Sequence, residues 1–158
     1  MATSFNPKSL VESAWKIIPF FQSRDIHATV LLYTKELGFT IGSEEPHFAS
    51  LFAGPKAASN IYFSLCREES EFRASSAMIA LGAEQHEALY AGLLARARDA
   101  GTGSGLSAEP TETFEIVQEI RDEEWGFRQF SIKDRDGNLI TFFRFLEGSN
   151  GEELWAGN

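Results

Sequence analysis

The stretch Glu123–Phe145, EEWGFRQFSIKDRDGNLITFFRF, decides the fold of this chain. Two runs rich in aromatic and β-branched residues flank residues 134–138, DRDGN, where Asp, Gly and Asn favour a tight reversal of the backbone. The second run, Leu139–Phe145, would place apolar residues on both faces of a strand, which predicts a strand covered on both faces. The stretch therefore predicts a β-hairpin.

The first run of this hairpin indicates a ligand pocket beside Trp125. Gln129 lies on the face opposite Phe130, because successive side chains of a strand alternate. If the strand begins at Trp125, then Trp125 and Phe127 share the face of Gln129, although Gly126 could bulge the strand and break that parity. An indole beside polar side chains on a mostly buried sheet indicates a pocket. The alternative is a Trp that closes a sheet edge.

Length and composition predict one domain in a reducing compartment. A chain of 158 residues is long enough for a real hydrophobic core. No apolar run approaches the roughly 20 residues that span a bilayer, and the first residues lack the basic-then-apolar order of a signal peptide. Cys66 is the only cysteine, so no intrachain disulfide can form. We expect a cytoplasmic protein without membrane contact.

The charge excludes one class of partner and favours another. Acidic residues outnumber basic ones by 23 to 14, giving a net charge of −9, which argues against nucleic acid because phosphate neutralisation drives its binding. An acidic surface favours cationic ligands, although acidity also serves solubility alone. The 14 Phe residues must pack in a core or around a ligand.

The chain contains two repeats of strand, helix and three strands, with little identity between them. The predicted elements of the first repeat are a strand at 15–22, a helix from Ile26 to a Gly38 cap, and strands at 39–43, 48–53 and 61–66. Those of the second are a strand at 77–82, a helix at 84–100 with a Gly101 cap, a strand at 113–121 and the hairpin. Residues 67–73 are a predicted linker and 101–110 a predicted flexible loop.

These elements predict an α+β fold of two βαβββ modules, at about 15–66 and 76–146, that form a cupped mixed sheet with helices on the outer face. The first helix is marked by the capping side chains that Ser23-Arg24-Asp25 offers, by apolar residues spaced four and three apart, and by Gly38 as a left-handed cap. Residues 1–14 are a predicted N-terminal extension without periodic pattern, and 147–158 a predicted acidic tail.

Five motifs together resemble the vicinal oxygen chelate superfamily, which includes glyoxalase I, extradiol dioxygenases and bleomycin resistance proteins. They are Ile18-Pro19, Ser23-Arg24-Asp25, LYTKELGF at 32–39, WGFR at 125–128 and DRDGNL at 134–139. The resemblance covers about residues 15–145. The SRD and EWG motifs are more similar to the bleomycin resistance branch. Membership implies paired βαβββ modules and usually a homodimer.

The resemblance also implies where a metal would bind. In metal-dependent members, a His or Gln in the first strand of each module and a Glu in its last strand hold a divalent cation. Those positions fall here near Ile18, Tyr62, Ala77 or Met78, and Thr141. None of these side chains suits a divalent cation beyond weak hydroxyl ligation. We therefore expect no metal site, no cofactor and no enzymatic mechanism of the usual superfamily kind.

The remaining candidate chemistry is sparse. His27, His47 and His86 are far apart in sequence and are expected to be surface or capping residues. Cys66 has no motif around it and is expected to be an inert strand residue. No nucleophile motif, phosphate-binding loop or HExxH sequence is present.

The resemblance implies a metal-independent protein that sequesters an aromatic or cationic compound such as bleomycin in the cleft of a dimer, and so an antibiotic-resistance role. Trp125 and Phe48 correspond to positions that stack on the flat rings of the drug. The predicted ligand-binding set is Trp125, Phe48, Phe127, Arg128, Tyr62 and Gln129. For Phe48 the alternative is core packing, and for Arg128 it is a salt bridge at the sheet edge.

Two other functions stay open at this point. One is a glyoxalase-like lyase or isomerase with a divalent metal in an altered site, which metal content would reveal. The other is a dimeric scaffold whose cleft is filled by its own phenylalanines, which a pocket too small for a ligand would support.

Overall fold

The computed structural model describes residues 5–102 and 114–147. Its helices are α1 (Pro7–Val11), α2 (Ile26–Lys35) and α3 (Ala83–Thr102), with a 3-10 turn at Pro55–Ala57. Its strands are β1 (Phe20–Ser23), β2 (Thr40–Glu45), β3 (Phe48–Ala53), β4 (Ser59–Leu65), β5 (Ser76–Ala80), β6 (Glu115–Asp122), β7 (Phe127–Lys133) and β8 (Leu139–Phe145). None of the described helices is long and apolar enough to cross a membrane.

The strands form two four-stranded mixed sheets with the same topology. Their orders are β1-β4-β3-β2 and β5-β8-β7-β6. The first strand of each module pairs in parallel with the last, and the other neighbours are antiparallel. Each module is thus a strand, a crossover helix and a three-stranded meander. The predicted α+β fold of two βαβββ modules is confirmed.

Each helix covers one face of its own sheet. In the first module, α2 packs on β2, β3 and β4, and Phe21, Leu51 and Phe63 are fully buried beneath it. In the second, α3 packs on β6 and β8 over buried Phe130 and Ile140. The alternate residues of every strand point to the opposite face. We call that opposite side the open face of each sheet.

Local sequence signals set the bounds of α2. The Asp25 carboxylate accepts a hydrogen bond from the backbone N–H of Ala28 at 3.0 Å, so it caps the first turn. Gly38 follows the helix with φ of 75°, as predicted for a left-handed cap. The corresponding prediction for α3 was wrong, since the helix continues through Gly101 to Thr102. The predicted loop beyond it lies almost wholly outside the described residues.

The first strand is shorter than predicted. The sequence predicts a strand at 15–22, but β1 begins only at Phe20. Pro19 has no N–H to give to a ladder, and only its carbonyl pairs, accepting from the N–H of Tyr62 at 3.1 Å. The preceding residues Trp15 and Ile17 are highly exposed. In the extension, Pro7–Val11 forms one exposed helical turn that the sequence pattern did not indicate.

The hairpin turn of the second module joins the two modules. Asp134 is buried, and its carboxylate accepts hydrogen bonds from the Tyr33 hydroxyl at 2.9 Å and from the backbone N–H groups of Asp136 and Asn138. Burial raises the pKa of Asp134, although these donors oppose the rise. The Asn138 side chain donates to the carbonyl of Gln22 at 2.9 Å. The turn therefore fixes β8 against α2 and β1.

A second set of contacts extends this joint. Asp136 accepts from the backbone N–H of Arg24 and from its guanidinium, at 3.3 and 3.2 Å. The same guanidinium pairs with Glu69 and lies 3.7 Å from the ring centroid of Phe72. Hydrogen bonding to Glu69, followed by Asp136, raises the pKa of Arg24 despite its partial burial. The SRD and DRDGN motifs thus meet each other in the fold.

Candidate functional site

The open face of the first sheet carries an aromatic cluster. Phe20, Phe48 and Tyr62 pack edge to face there, with Tyr62 at 5.3 Å from Phe20 and 5.0 Å from Phe48 between ring centroids. Phe48 and Tyr62 are half-buried and Phe20 is exposed. Phe48 is therefore not part of the core beneath α2. We call these three rings the first aromatic cluster.

The open face of the second sheet carries a second aromatic cluster, formed by Phe127, Phe143 and Phe145. The rings of Phe127 and Phe143 stack with centroids 4.4 Å apart and planes 25° from parallel. Phe145 meets both edge-on, at 5.2 and 5.5 Å. All three rings are partly exposed, so one side of the cluster is available to a ligand.

Trp125 lies in the turn that precedes β7. The strand begins at Phe127 and not at Trp125, because Gly126 has φ of 92° and turns the chain. The indole is 60% exposed, so it does not close a sheet edge. Phe127 and Gln129 share the open face, as the alternation predicts.

A strip of polar side chains crosses the open face beside the second aromatic cluster. It consists of Gln118, Gln129, Ser131 and Thr141, which we call the polar strip. Ser131 Oγ lies 2.7 Å from Thr141 Oγ1 and donates to Gln118 Oε1 at 3.0 Å. Gln129 Nε2 donates to the same oxygen at 3.3 Å. The sequence did not predict that Gln118 and Thr141 meet on this face, because their meeting depends on strand pairing.

Arg128 lies on the other face of the second sheet. It alternates with Phe127 and Gln129 and pairs with Glu87 of α3 at 2.5 Å and with Asp122 at 2.9 Å. The hydrogen bonds that Arg128 donates to Asp122 and then to Glu87 raise the pKa of Arg128, and accepting from Arg128 lowers the pKa of Glu87. This arrangement is the salt bridge that the sequence left as the alternative. The structure thus separates Arg128 from the other five predicted ligand residues.

The superfamily resemblance implies metal ligands near Ile18, Tyr62, Ala77 or Met78, and Thr141. Ile18 lies just before β1, where Phe20 pairs with Tyr62, and Met78 pairs with Thr141. A phenyl ring, a phenol, a thioether and an aliphatic hydroxyl do not make a site for a hard divalent cation. Within residues 5–102 and 114–147, no three His, Cys, Asp or Glu side chains come together as a metal site.

His86 is buried, contrary to the prediction of a surface or capping residue. Its Nε2 donates to the carbonyl of Phe142 at 2.8 Å, and its ring lies 5.1 Å from that of Phe130. Burial lowers the pKa of His86, so the neutral ring is favoured. The signal was present in the sequence, since His86 lies three and seven positions before Leu89 and Leu93 on one helical face.

The other two histidines and the cysteine show no catalytic arrangement. His27 and His47 are exposed, and His27 Nδ1 lies 2.7 Å from Glu44. Cys66 is half-buried, and its thiol contacts the carbonyl of Glu68 at 3.7 Å.

A groove of about 640 Å³ lies where the N-terminal segment passes β4 and β5. Its lining includes Trp15, Ile17, Asn60 and Met78. The Asn60 amide already donates to Ser50 Oγ and to the carbonyl of Leu51, so this end of the groove offers mostly apolar contact. Because Met78 pairs with Thr141, the groove borders the polar strip.

The sequence model of the Glyoxalase/Bleomycin resistance protein/Dioxygenase superfamily matches residues 19–142. The chain belongs to this superfamily. The predicted resemblance is therefore confirmed, and the matched residues include all but the last three residues of the two sheets and all six predicted ligand residues. Curated protein sequences gave no significant match.

Solved structures of superfamily proteins share the fold at low identity. A glyoxalase/bleomycin resistance protein/dioxygenase from Nocardioides is 21% identical, with 90% of this chain and 91% of that chain covered and a TM-score of 0.59. The bleomycin-binding protein of Streptomyces verticillus, solved with copper(II)-bleomycin, is 20% identical, with 80% and 93% covered and a TM-score of 0.57. A bleomycin resistance determinant of transposon Tn5 is 19% identical, with 82% and 97% covered and a TM-score of 0.56.

Proposed function

We propose that this superfamily member sequesters a flat aromatic or cationic small molecule, as bleomycin resistance proteins do, in a cleft between two copies of the chain. The observation that carries the proposal is the pair of aromatic clusters on sheet faces that none of the described helices covers. A catalytic site built on a metal receives no support from the side chains at the superfamily positions.

Ring stacking supplies the affinity in this proposal. Phe48 and Tyr62 on the first sheet, and Phe127 on the second, present ring faces or edges to the open side. Each aromatic contact with a flat ligand contributes about 0.5–1.5 kcal/mol beyond the area that it buries. Trp125 adds an indole that is 60% exposed and can stack without breaking a core contact. The net charge of −9 attracts cations toward the protein at long range.

The exposed apolar surface supports a homodimer. Trp15, Ile17, Phe20 and Met78 are 72%, 85%, 66% and 52% exposed. Together they make an apolar patch around the groove and the first aromatic cluster, and apolar patches of this kind mark interaction surfaces. A second copy seated there would bury the patch and bring two open faces together. A stable dimer of this kind buries roughly 1,200–2,000 Å² in total.

The side chains at the implied metal positions support binding without a metal as part of this proposal. Phe20, Tyr62, Met78 and Thr141 give a ligand ring contacts and a hydroxyl rather than a coordinated cation. The bleomycin-binding protein of Streptomyces verticillus, which shares this fold, was solved with its drug, so drug binding is compatible with the fold. Residence in the cytoplasm and a role in antibiotic resistance are part of the proposal.

The test is a tryptophan-fluorescence titration of metal-stripped protein with metal-free bleomycin. We expect saturable quenching at one or two ligands per dimer, and loss of most of the signal in Trp125→Ala. Trp15→Phe is the matched control, because it removes another exposed indole while it keeps an aromatic ring in the apolar patch of the proposed dimer. Sedimentation of the same samples gives the oligomeric state.

A flat titration would refute bleomycin sequestration, and a monomer at all concentrations would refute the dimer cleft. Stoichiometric divalent metal in the purified protein, together with its loss on stripping and return of a glyoxalase-type activity on reloading, would replace the proposal by the enzyme.

A further inference from the structure

The hydrogen bonds of the polar strip can run in only one direction, because the Glu123 carboxylate fixes the orientation of the Gln118 amide. Gln118 Nε2 donates to the Glu123 carboxylate at 2.8 Å. A carboxylate accepts hydrogen bonds and cannot donate them, so the Gln118 amide is held with its nitrogen toward Glu123 and its oxygen toward the strip. The reversed amide would place two oxygens against each other.

The orientation of Gln118 fixes the hydroxyl protons of the strip. Gln118 Oε1 can only accept, so Ser131 must give its single proton to that oxygen. Ser131 Oγ then has only lone pairs left for Thr141, which lies 2.7 Å away. Thr141 therefore donates to Ser131, and the remaining lone pairs of Thr141 Oγ1 are acceptors.

The same reasoning fixes the orientation of the Gln129 side-chain amide. Its Nε2 faces Gln118 Oε1 at 3.3 Å, and turning the amide over would again oppose two oxygens. Gln129 Oε1 is buried and has no hydrogen-bond partner in residues 5–102 or 114–147, while the whole residue is only 7% exposed. A buried acceptor without a partner is costly, and pairing it recovers that cost.

We propose that the polar strip is an acceptor subsite that selects a ligand carrying N–H donors, such as an aromatic amine or a primary amide. This inference rests on the proposed small-molecule function and names the chemistry of the group that enters the site. The two open ends of the strip, Gln129 Oε1 and Thr141 Oγ1, offer lone pairs, since the hydroxyl protons of Ser131 and Thr141 are already donated within the strip and Gln129 Nε2 donates to Gln118. A carboxylate or a phosphate would meet oxygen against oxygen there.

The neighbouring aromatic rings would position the N–H donor of a ligand near Gln129 Oε1. Strand pairing sets Phe143 directly across from Gln129, and Phe127 lies two residues along the same strand face. A flat amine that stacks on these rings brings an edge N–H to Gln129 Oε1 once a ring moves aside. Glu123 and Gln118 act as positioning residues, because they set the polarity of the strip without contacting the ligand.

The experiment compares two flat cationic dyes, proflavine and acridine orange, by fluorescence titration of the full chain. Proflavine carries two aromatic amino groups, and in acridine orange methyl groups replace their hydrogens. We expect Gln129→Met to lower the preference for proflavine over acridine orange about three- to tenfold, which is what one net hydrogen bond supplies. Both dyes should still bind, since the rings remain.

The second variant, Glu123→Met, tests the direction of the strip. Without the carboxylate the Gln118 amide is free to turn over, so the same preference should fall although no ligand contact has been removed. Glu124→Met is the matched control, because Glu124 is the exposed neighbour with no hydrogen bond or ion pair within the described chain. Thermal melts identify any variant whose fold has changed, and the ratio of two affinities on one sample does not depend on the folded fraction.

An unchanged dye preference in Gln129→Met, or the same preference in Glu123→Met as in the wild type, would overturn the inference and leave the proposed function standing. Absence of binding by both dyes would also overturn it. Absence of binding by bleomycin as well as both dyes would overturn the proposed function itself.

Discussion

The hydrogen bond from Tyr33 to Asp134, which joins the two modules, predicts how much stability the protein loses when that bond is removed. Tyr33 is fully buried, and its hydroxyl donates to Asp134 Oδ2 at 2.9 Å across the boundary between α2 and the hairpin turn. The substitution Tyr33→Phe removes this oxygen and keeps the ring. Burial, followed by the charge of Asp134, raises the pKa of Tyr33 well above its ordinary value, so the hydroxyl stays protonated and able to donate.

The expected loss follows from the charge of the acceptor. A hydrogen bond to an ionised group is worth about 1.5–3 kcal/mol net, and Asp134 retains N–H donors from Asp136 and Asn138. For a chain of this length, each kcal/mol moves the melting temperature by about 2–4 °C. Tyr33→Phe should therefore lower the free energy of unfolding by about 1.5–3 kcal/mol and the melting temperature by about 3–12 °C.

The assay is urea unfolding at neutral pH, with Tyr62→Phe as the matched control. Tyr62 lies on the open face, and its hydroxyl makes no hydrogen bond to any residue that the structure describes. The same chemical change should cost less than about 0.5 kcal/mol there. Equal effects of the two variants, or a loss below about 0.5 kcal/mol for Tyr33→Phe, would refute the assignment of the turn as the joint between modules.

Two further predictions concern single residues of the core and the turns. Burial lowers the pKa of His86, so at acidic pH the unfolded chain binds a proton more readily than the folded chain does. The contribution of His86 to the free energy of unfolding is therefore complete above about pH 6.5, the ordinary pKa of histidine, and is lost as the pH falls toward the lower pKa of the folded state. Urea unfolding at pH values on both sides of this window should show the loss, and His86→Gln should flatten it; an identical slope in the variant would contradict the assignment. Gly38→Ala should cost about 1–2 kcal/mol in the same assay, because the residue has φ of 75° although no atom obstructs a Cβ. A neutral result would show that the helix end adapts.

The elements that were predicted correctly depend on short stretches of sequence. The hairpin turn follows from its Asp and Gly residues, and Gly137 has φ of 88° as such a turn requires. The bounds of β8 and the start of α2 agree with the prediction for the same reason, since alternation and capping are properties of neighbouring residues. The cap predicted at Gly101 was wrong, because glycine lowers helix propensity by only about 1 kcal/mol and does not by itself end a helix, which here includes Gly101 and Thr102.

Part of the arrangement around the candidate site follows from local alternation. Alternation along β7 correctly puts Phe127 and Gln129 on one face, and it also places Arg128 on the opposite face. The pairing of Arg128 with Glu87 could not be predicted, because Glu87 lies 41 residues away on α3. The prediction of a surface or capping role for His86 was wrong, although its helical spacing puts it on the same face as partly buried Leu89 and buried Leu93.

Residue order alone predicts the sequence of elements, the alternation of faces along a regular strand, and the superfamily. These follow from a period of two in strands, a period of 3.6 in helices, and residue chemistry at motif positions. Which faces meet depends on the way in which the chain folds back on itself. The bond from Tyr33 to Asp134 joins residues 101 apart, and the polar strip gathers side chains from three strands. Such contacts depend on strand register and on the irregular pairing of β6 with β7, which no local pattern of residues specifies.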